Sequence, residues 1–331
     1  MQDFQQIIGH NGIIEHLQNA IRAGKVSHAY ILHGEEGMGK KLLASAFAKT
    51  LQCAEGGIRP CNQCMSCMQA ESGNQPDIIW VTHEKLSISV DDIRVQVNSD
   101  IQIKPFSSPY KIYIIDTAEK LTEQAQNALL KTMEEPPEYA VLLLLVNNIN
   151  LILPTILSRC VVLNLKPVDK KLIRDFLMER HRVPDYVAEV AAGFSGGNVG
   201  KAVKYASSED FDRKKEDILH ILRYIDEMEL YEVIAGVKTI SEHKSAVEDY
   251  IDLMILWYRD ILMLKATNDP NLLLYKNEFS FIRRQATLRS YEELENIIGA
   301  MEKAKIRLKA NVNFDIAIEL MLLKIKENSN G

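Results

Sequence analysis

Ala29-Tyr30-Ile31-Leu32-His33-Gly34-Glu35-Glu36-Gly37-Met38-Gly39-Lys40-Lys41-Leu42-Leu43 reads as a short apolar strand, a glycine-rich turn and the first residues of a helix. Gly34, Gly39 and Lys40 have the G-x-x-x-x-G-K spacing of a phosphate loop, with Gly37 between them. Glycines let successive backbone N–H groups turn inward around a phosphate, and the N-terminus of the following helix adds partial positive charge. Lys40 is then the group that reaches the β- and γ-phosphates. The strand before and the helix after are the context that separates such a loop from an ordinary glycine-rich turn.

The rest of the first half extends the same pattern. Apolar, β-rich runs at 77–81, 111–115, 140–146 and 160–163 join the run at 29–32. Helical patterns lie between them at 39–51, 90–98 and 122–135, the last with Thr122 as N-cap and Pro136-Pro137 as stop. Strands separated by helices predict a mostly parallel five-stranded sheet covered on both faces. After Lys166-Pro167 no further strand is expected. Short helices at 172–182 and 187–192, the latter ended by Gly193, are followed by the turn Ser195-Gly196-Gly197-Asn198 and a helix to about 207. The polar segment 207–212 reads as a linker. Long helices follow, of which 245–264 is the clearest: Val247, Tyr250, Ile251, Met254, Ile255, Tyr258, Ile261 and Leu262 form one apolar stripe. The expected organisation is an α/β domain over 1–166, a small helical domain over 167–208 and a helical bundle over 209–331.

Composition narrows the function classes. The chain has 331 residues, 47% apolar and 25% charged, with 16 Gly and 10 Pro, which excludes collagen-like, linker and disordered classes. A net charge of −6 argues against binding nucleic acid through bulk charge. The densest basic run, Arg213-Lys214-Lys215, is flanked by Asp210, Asp212, Glu216 and Asp217 and reads as a solvated helix face. MQDFQQIIGH has neither the basic nor the apolar region of a secretory signal, and the longest apolar run, 139–146, is far short of the ~20 residues of a membrane helix. The cytoplasm is therefore the expected compartment, and cysteines there are reduced.

Four of the five cysteines, Cys53, Cys61, Cys64 and Cys67, fall within fifteen residues as C-x7-C-x2-C-x2-C. Four thiolates complete a tetrahedral shell and leave no open position, so the expected ion is a structural Zn2+. A redox C-x-x-C pair is the weaker alternative, since it leaves two cysteines unexplained.

Two features count against metal-dependent hydrolysis at the phosphate loop. Lys41 stands where a Ser or Thr hydroxyl would bind Mg2+. An ammonium has no lone pair for a metal, and two unit charges ~4 Å apart interact by about 4 kcal/mol at an effective dielectric of 20. Lys41 either turns away or takes over the metal's part in neutralising phosphate. The run Ile114-Ile115-Asp116-Thr117-Ala118-Glu119 ends a strand with Asp116 toward the metal position, but Thr117 occupies the next place, and a hydroxyl is a poor general base. Binding of ATP or ADP is not excluded by either feature. Asn147, after the fourth apolar run, fits either a polar sensor of the γ-phosphate or a strand-ending turn residue.

Ser27-His28-Ala29-Tyr30, the run Asn127-Ala128-Leu129-Leu130-Lys131-Thr132-Met133-Glu134-Glu135-Pro136-Pro137 and the run Thr155-Ile156-Leu157-Ser158-Arg159-Cys160 resemble bacterial clamp-loader ATPases. These are AAA+ proteins of the DNA polymerase III holoenzyme. The resemblance implies a P-loop AAA+ domain with a zinc module at 53–67, a helical lid and a helical collar that mediates oligomerisation. In hydrolysing relatives Glu follows the strand-ending Asp. Within the family, Lys41, Thr117 and Gly200, the last at the place of a nucleotide-sensing Arg, resemble the delta-prime type. Gamma/tau relatives of the tau type also carry a long extension after the collar, whereas this chain ends soon after Lys326. The resemblance implies a subunit without intrinsic ATPase that works with gamma/tau and delta subunits to open a sliding clamp and load it on primer-template DNA. It further implies that Arg159 acts in trans as an arginine finger. An ATP-hydrolysing gamma/tau-type motor is the rival reading, and a zinc-dependent nucleic-acid module on a vestigial scaffold is a weaker third.

Overall fold

In a computed structural model, which describes residues 3–207, 211–241, 244, 247–310 and 312–328, the first half folds around five strands. These are β1 (Ala29–His33), β2 (Ile78–Trp80), β3 (Lys111–Ile115), β4 (Ala140–Val146) and β5 (Val161–Asn164). They form one sheet in the order β2-β3-β4-β1-β5, with every pair parallel. Parallel neighbours need crossovers, and helices supply them. They are α1 (Asn11–Arg22), α2 (Lys40–Leu51), α3 (Met65–Ser72), α4 (Val90–Ile93), α5 (Glu123–Glu134) and α6 (Pro154–Leu157). Buried on both faces, β4 is continuously apolar (AVLLLLV). Alternate strand residues feed two cores. Tyr113, Ile115, Leu142 and Leu144 pack with Leu129 of α5 on one face; Ile112, Ile114, Leu143 and Leu145 pack with Leu43 and Phe47 of α2 on the other.

This strand order decides where chemistry can occur. β3, β4 and β1 are neighbours, so their carboxyl ends lie side by side, and in open α/β sheets ligands bind outside those ends. In register, Ile115 pairs with Leu144 and His33 with Val146. The residues that follow, Asp116, Asn147 and Gly34, therefore emerge together, and the Gly34 N–H donates to the Val146 carbonyl at 3.1 Å.

The chain divides into two compact units, 1–204 and 205–331. The first also holds α7 (Lys170–His181), α8 (Asp185–Phe194) and most of α9 (Val199–Ser207). α8 runs through Gly193 and ends in a cap at Ser195, and the left-handed glycines are Gly196 and Gly197. Gly193 is thus no stop, because its neighbours Ala192 and Phe194 are buried and packing outweighs its ~1 kcal/mol helix cost. The helix expected over 90–98 is α4 followed by a π-helical stretch, Arg94–Ser99.

Among its described residues the second unit is helical: α10 (Phe211–Tyr224), α11 (Leu230–Ser241), α12 (Val247–Thr267), α13 (Phe279–Leu288), α14 (Tyr291–Lys309) and α15 (Phe314–Glu327). Ser245, expected to start the long helix, and residues 208–210 of the expected linker lie outside the described residues. Trp257 is fully buried on α12, and its indole N–H donates to Gln285 Oε1 at 2.9 Å. Among the described residues, no helix is long and apolar enough to cross a membrane.

Candidate functional site

The phosphate loop is shaped by glycine. Gly37 and Gly39 have φ of 87° and 93°, a left-handed backbone that side chains rarely adopt. Gly39 is the N-cap of α2, so the helix begins at Lys40 with its N-terminus toward a cleft of about 560 Å3 lined by Gly37, Lys40, Lys41, Asp116, Glu119 and Asn147. These residues follow the carboxyl ends of β1, β3 and β4, which the sheet order sets side by side.

Inside the cleft the charges are spent on one another. The Lys40 ammonium donates to the Gly34 carbonyl, the Glu35 carbonyl and Asn147 Oδ1, each at 2.7 Å. Three acceptors match its three donors. Burial lowers the Lys40 pKa, and the carboxylates of Glu119 and Asp116 oppose that shift. Asn147 passes the contact on. Its side-chain amide and its backbone N–H donate to the two Glu119 oxygens at 2.5 and 3.1 Å. Glu119 lies in a short 3-10 turn, Ala118–Lys120, and it is the acceptor that orients Asn147. Lys41 Nζ sits 2.8 Å from Asp116 Oδ2, so the two groups at the metal positions neutralise each other. Thr117 has φ of 49°, unusual for a β-branched residue.

Asn198 and the first residues of α9 close over this loop. Asn198, buried, donates from Nδ2 to the Glu36 carbonyl at 2.7 Å, and the Gly200 N–H donates to the Gly37 carbonyl at 2.9 Å. A Cβ on Gly200 would lie 2.7 Å from both Cα and O of Gly37. Gly200 therefore does more than lack a sensing side chain: its bareness lets the two backbones touch. Composition offered no signal for this contact.

Arg159 follows α6 on the surface. Its Nη2 lies 2.8 Å from Glu134 Oε1 at the end of α5, and its Nη1 donates to the Thr155 carbonyl at 3.0 Å and to Ser158 Oγ at 3.3 Å. It is not among the residues lining the cleft at the phosphate loop.

The sulfur atoms of Cys53, Cys61, Cys64 and Cys67 all lie within 4.8 Å of one another. A tetrahedral Zn–S shell of ~2.3 Å bonds sets its sulfurs ~3.8 Å apart; Cys61 and Cys67 stand at 3.9 Å. The backbone N–H groups of Gln63 and Cys64 donate to the Cys61 sulfur and hold its pKa down to about 6. Burial raises the pKa of Cys67. Cys160, the fifth cysteine, stands apart from the cluster, and burial pushes it up to about 12.

The family described as "DNA polymerase III, delta subunit" matches residues 9–169. The delta' subunit of Bacillus subtilis DNA polymerase III is 30% identical over 95% of this chain and 95% of its own length. The chain belongs to the clamp-loader subunit family of DNA polymerase III. The tau subunit of the same organism is 28% identical over 99% of this clamp-loader chain and 62% of its own length. Among solved structures, a gamma subunit-related protein of Thermotoga maritima is similar at a TM-score of 0.46 and 19% identity, over 95% of this chain and 99% of that one.

Proposed function

We propose that this clamp-loader subunit is of the delta-prime type: a non-hydrolysing AAA+ subunit that assembles with gamma/tau and delta subunits, helps to open a sliding clamp and load it on primer-template DNA, and supplies Arg159 to a neighbour's nucleotide site. The observation that carries this reading is the Lys41–Asp116 ion pair, which sets an ammonium against the carboxylate a hydrolase uses for Mg2+. Thr117, with no carboxylate to position a water, points the same way. A nucleotide at Gly34, Gly37, Gly39, Lys40 and Asn147 would be held without turnover. The three-part organisation at 1–166, 167–208 and 209–331 belongs to the same reading, with the last part as the oligomerising collar. The cysteine cluster holds one structural Zn2+.

Reconstitution tests it. The chain alone has no Mg2+-dependent ATPase above background, and with gamma/tau and delta it forms a stoichiometric complex that hydrolyses ATP and loads clamps. Arg159→Ala leaves assembly intact and lowers the complex's ATPase at one site, by about 10³-fold or more there, since such a finger is worth several orders of magnitude. Turnover by the isolated chain that Lys40→Ala abolishes would establish a gamma/tau-type motor instead. An Arg159→Ala complex that loads clamps at the wild-type rate would remove Arg159 from the mechanism.

A further inference from the structure

The two sequence runs most distinctive of this chain, ending in Glu134-Glu135-Pro136-Pro137 and in Ser158-Arg159-Cys160, meet at one contact. α5 is stopped by the prolines, so Glu134 is its last residue. Gln126, buried two turns earlier on α5, donates to the Leu151 carbonyl at 3.0 Å and accepts from the Leu153 N–H at 2.8 Å. That clamps α5 to the chain leading into α6. Arg159 follows α6 at once, with its backbone N–H on the Ile156 carbonyl. Both ends of the Arg159–Glu134 pair are thus carried on a rigid frame, while the charged groups stay 36% and 52% exposed.

We propose that Glu134 is a positioning residue that parks Arg159 on its own subunit until a neighbouring phosphate displaces it. This rests on the reading of Arg159 as a trans-acting arginine. In the parked state Nη1 is held by Thr155 and Ser158 and Nη2 by Glu134. To stabilise phosphate charge elsewhere, the guanidinium must exchange the carboxylate for a phosphate oxygen. An exposed pair is weak enough for that exchange, and its hold on the equilibrium is limited to about fivefold. Parking therefore restrains hydrolysis in a complex that has not yet met its clamp and DNA.

The experiment is ATPase of the fully reconstituted complex, without and with clamp and primed DNA, for wild type, Glu134→Gln, Arg159→Ala and the double variant. Glu134→Gln keeps the shape and removes the charge. It raises the unstimulated rate about two- to fivefold, changes the stimulated rate less, and so lowers the stimulation ratio. The difference from wild type shrinks as salt rises, because exposed charges are screened over ~8 Å at physiological ionic strength. In the Arg159→Ala background the same substitution has no effect. An unstimulated rate that is unchanged or lower in Glu134→Gln overturns the parking role, as does a rise that persists without Arg159. Full activity of Arg159→Ala alone overturns the trans-acting reading itself, a separate outcome.

Discussion

α2 carries a different unfinished charge problem at each end. Its N-terminus at Lys40 faces the phosphate loop, and its C-terminus at Leu51 leads directly to Cys53, about 18 Å away along the helix. At the first end the groups answer one another: Lys40 has three oxygen acceptors and Lys41 has Asp116. At the second end four sulfurs converge, Cys61 on Cys67 at 3.9 Å, and once ionised all carry the same sign. One end has internalised its counter-charge, and in the proposed reading the other takes a Zn2+ from outside. On that reading the metal belongs to the cysteine end of α2 rather than to the phosphate-loop end that its sequence pattern advertises.

The largest expected effect breaks the cysteine end. Metal analysis is expected to find about one zinc per wild-type chain and its loss in Cys64→Ser. Metal binding to such a site is worth on the order of 10 kcal/mol where folding depends on it. Here the loss stays local, because Lys49–Glu71 and the Gln18 bond to the Ile58 carbonyl still tie the module to its surroundings. Hydrogen exchange should show segment 53–72 opening while β1 and β4 stay protected. A metal-free, fully protected wild-type chain would contradict it.

Next in size is the closure over the phosphate loop. Gly200→Ala places a methyl 2.7 Å from backbone atoms of Gly37, which cannot rotate away. Overpacking of this kind costs about 1–3 kcal/mol, and the thermal midpoint should fall by about 2–4 °C per kcal/mol. Loss of amide protection at Gly200 should accompany it; a midpoint equal to wild type would mean the lid turn does not rest on the loop.

The smallest effect on stability sharpens the other end. Lys41→Thr removes an exposed pair worth about 0–1 kcal/mol, so the fold barely changes. It frees Asp116, and any nucleotide binding should then become sensitive to Mg2+ and to chelation. ATPase should still be missing, because Thr117 is unaltered. Turnover in this variant would show that Lys41 was the one obstacle.

Legibility followed the range of the forces involved. The strands at 111–115 and 140–146 and the long helix read at 245–264, observed over Val247–Thr267, were readable because continuous burial and 3/4 periodicity leave a local pattern. Thr122 was readable as a cap because its hydroxyl accepts from Ala125 N–H, three residues on. α1 and α3 were not singled out: α1 starts on Asn11-Gly12 behind a left-handed His10 with no side-chain cap, and α3 carries the cysteines rather than an apolar stripe. The candidate residues were legible by type and spacing, whereas their partners were not.

Sequence alone determined the α/β-then-helical order, the glycines that let a loop turn, and the four sulfurs clustered along fifteen residues, because each depends on interactions between near neighbours in the chain. Tertiary structure decided which charges meet. Lys40 finds Asn147 across 107 residues, Lys41 finds Asp116, Asn198 reaches the Glu36 carbonyl across 162, and Arg159 rests on Glu134. The physical reason is the strand order β2-β3-β4-β1-β5: parallel strands adjacent in space are distant in sequence, so the contents of the cleft are set by which carboxyl ends lie side by side, and no local pattern records that.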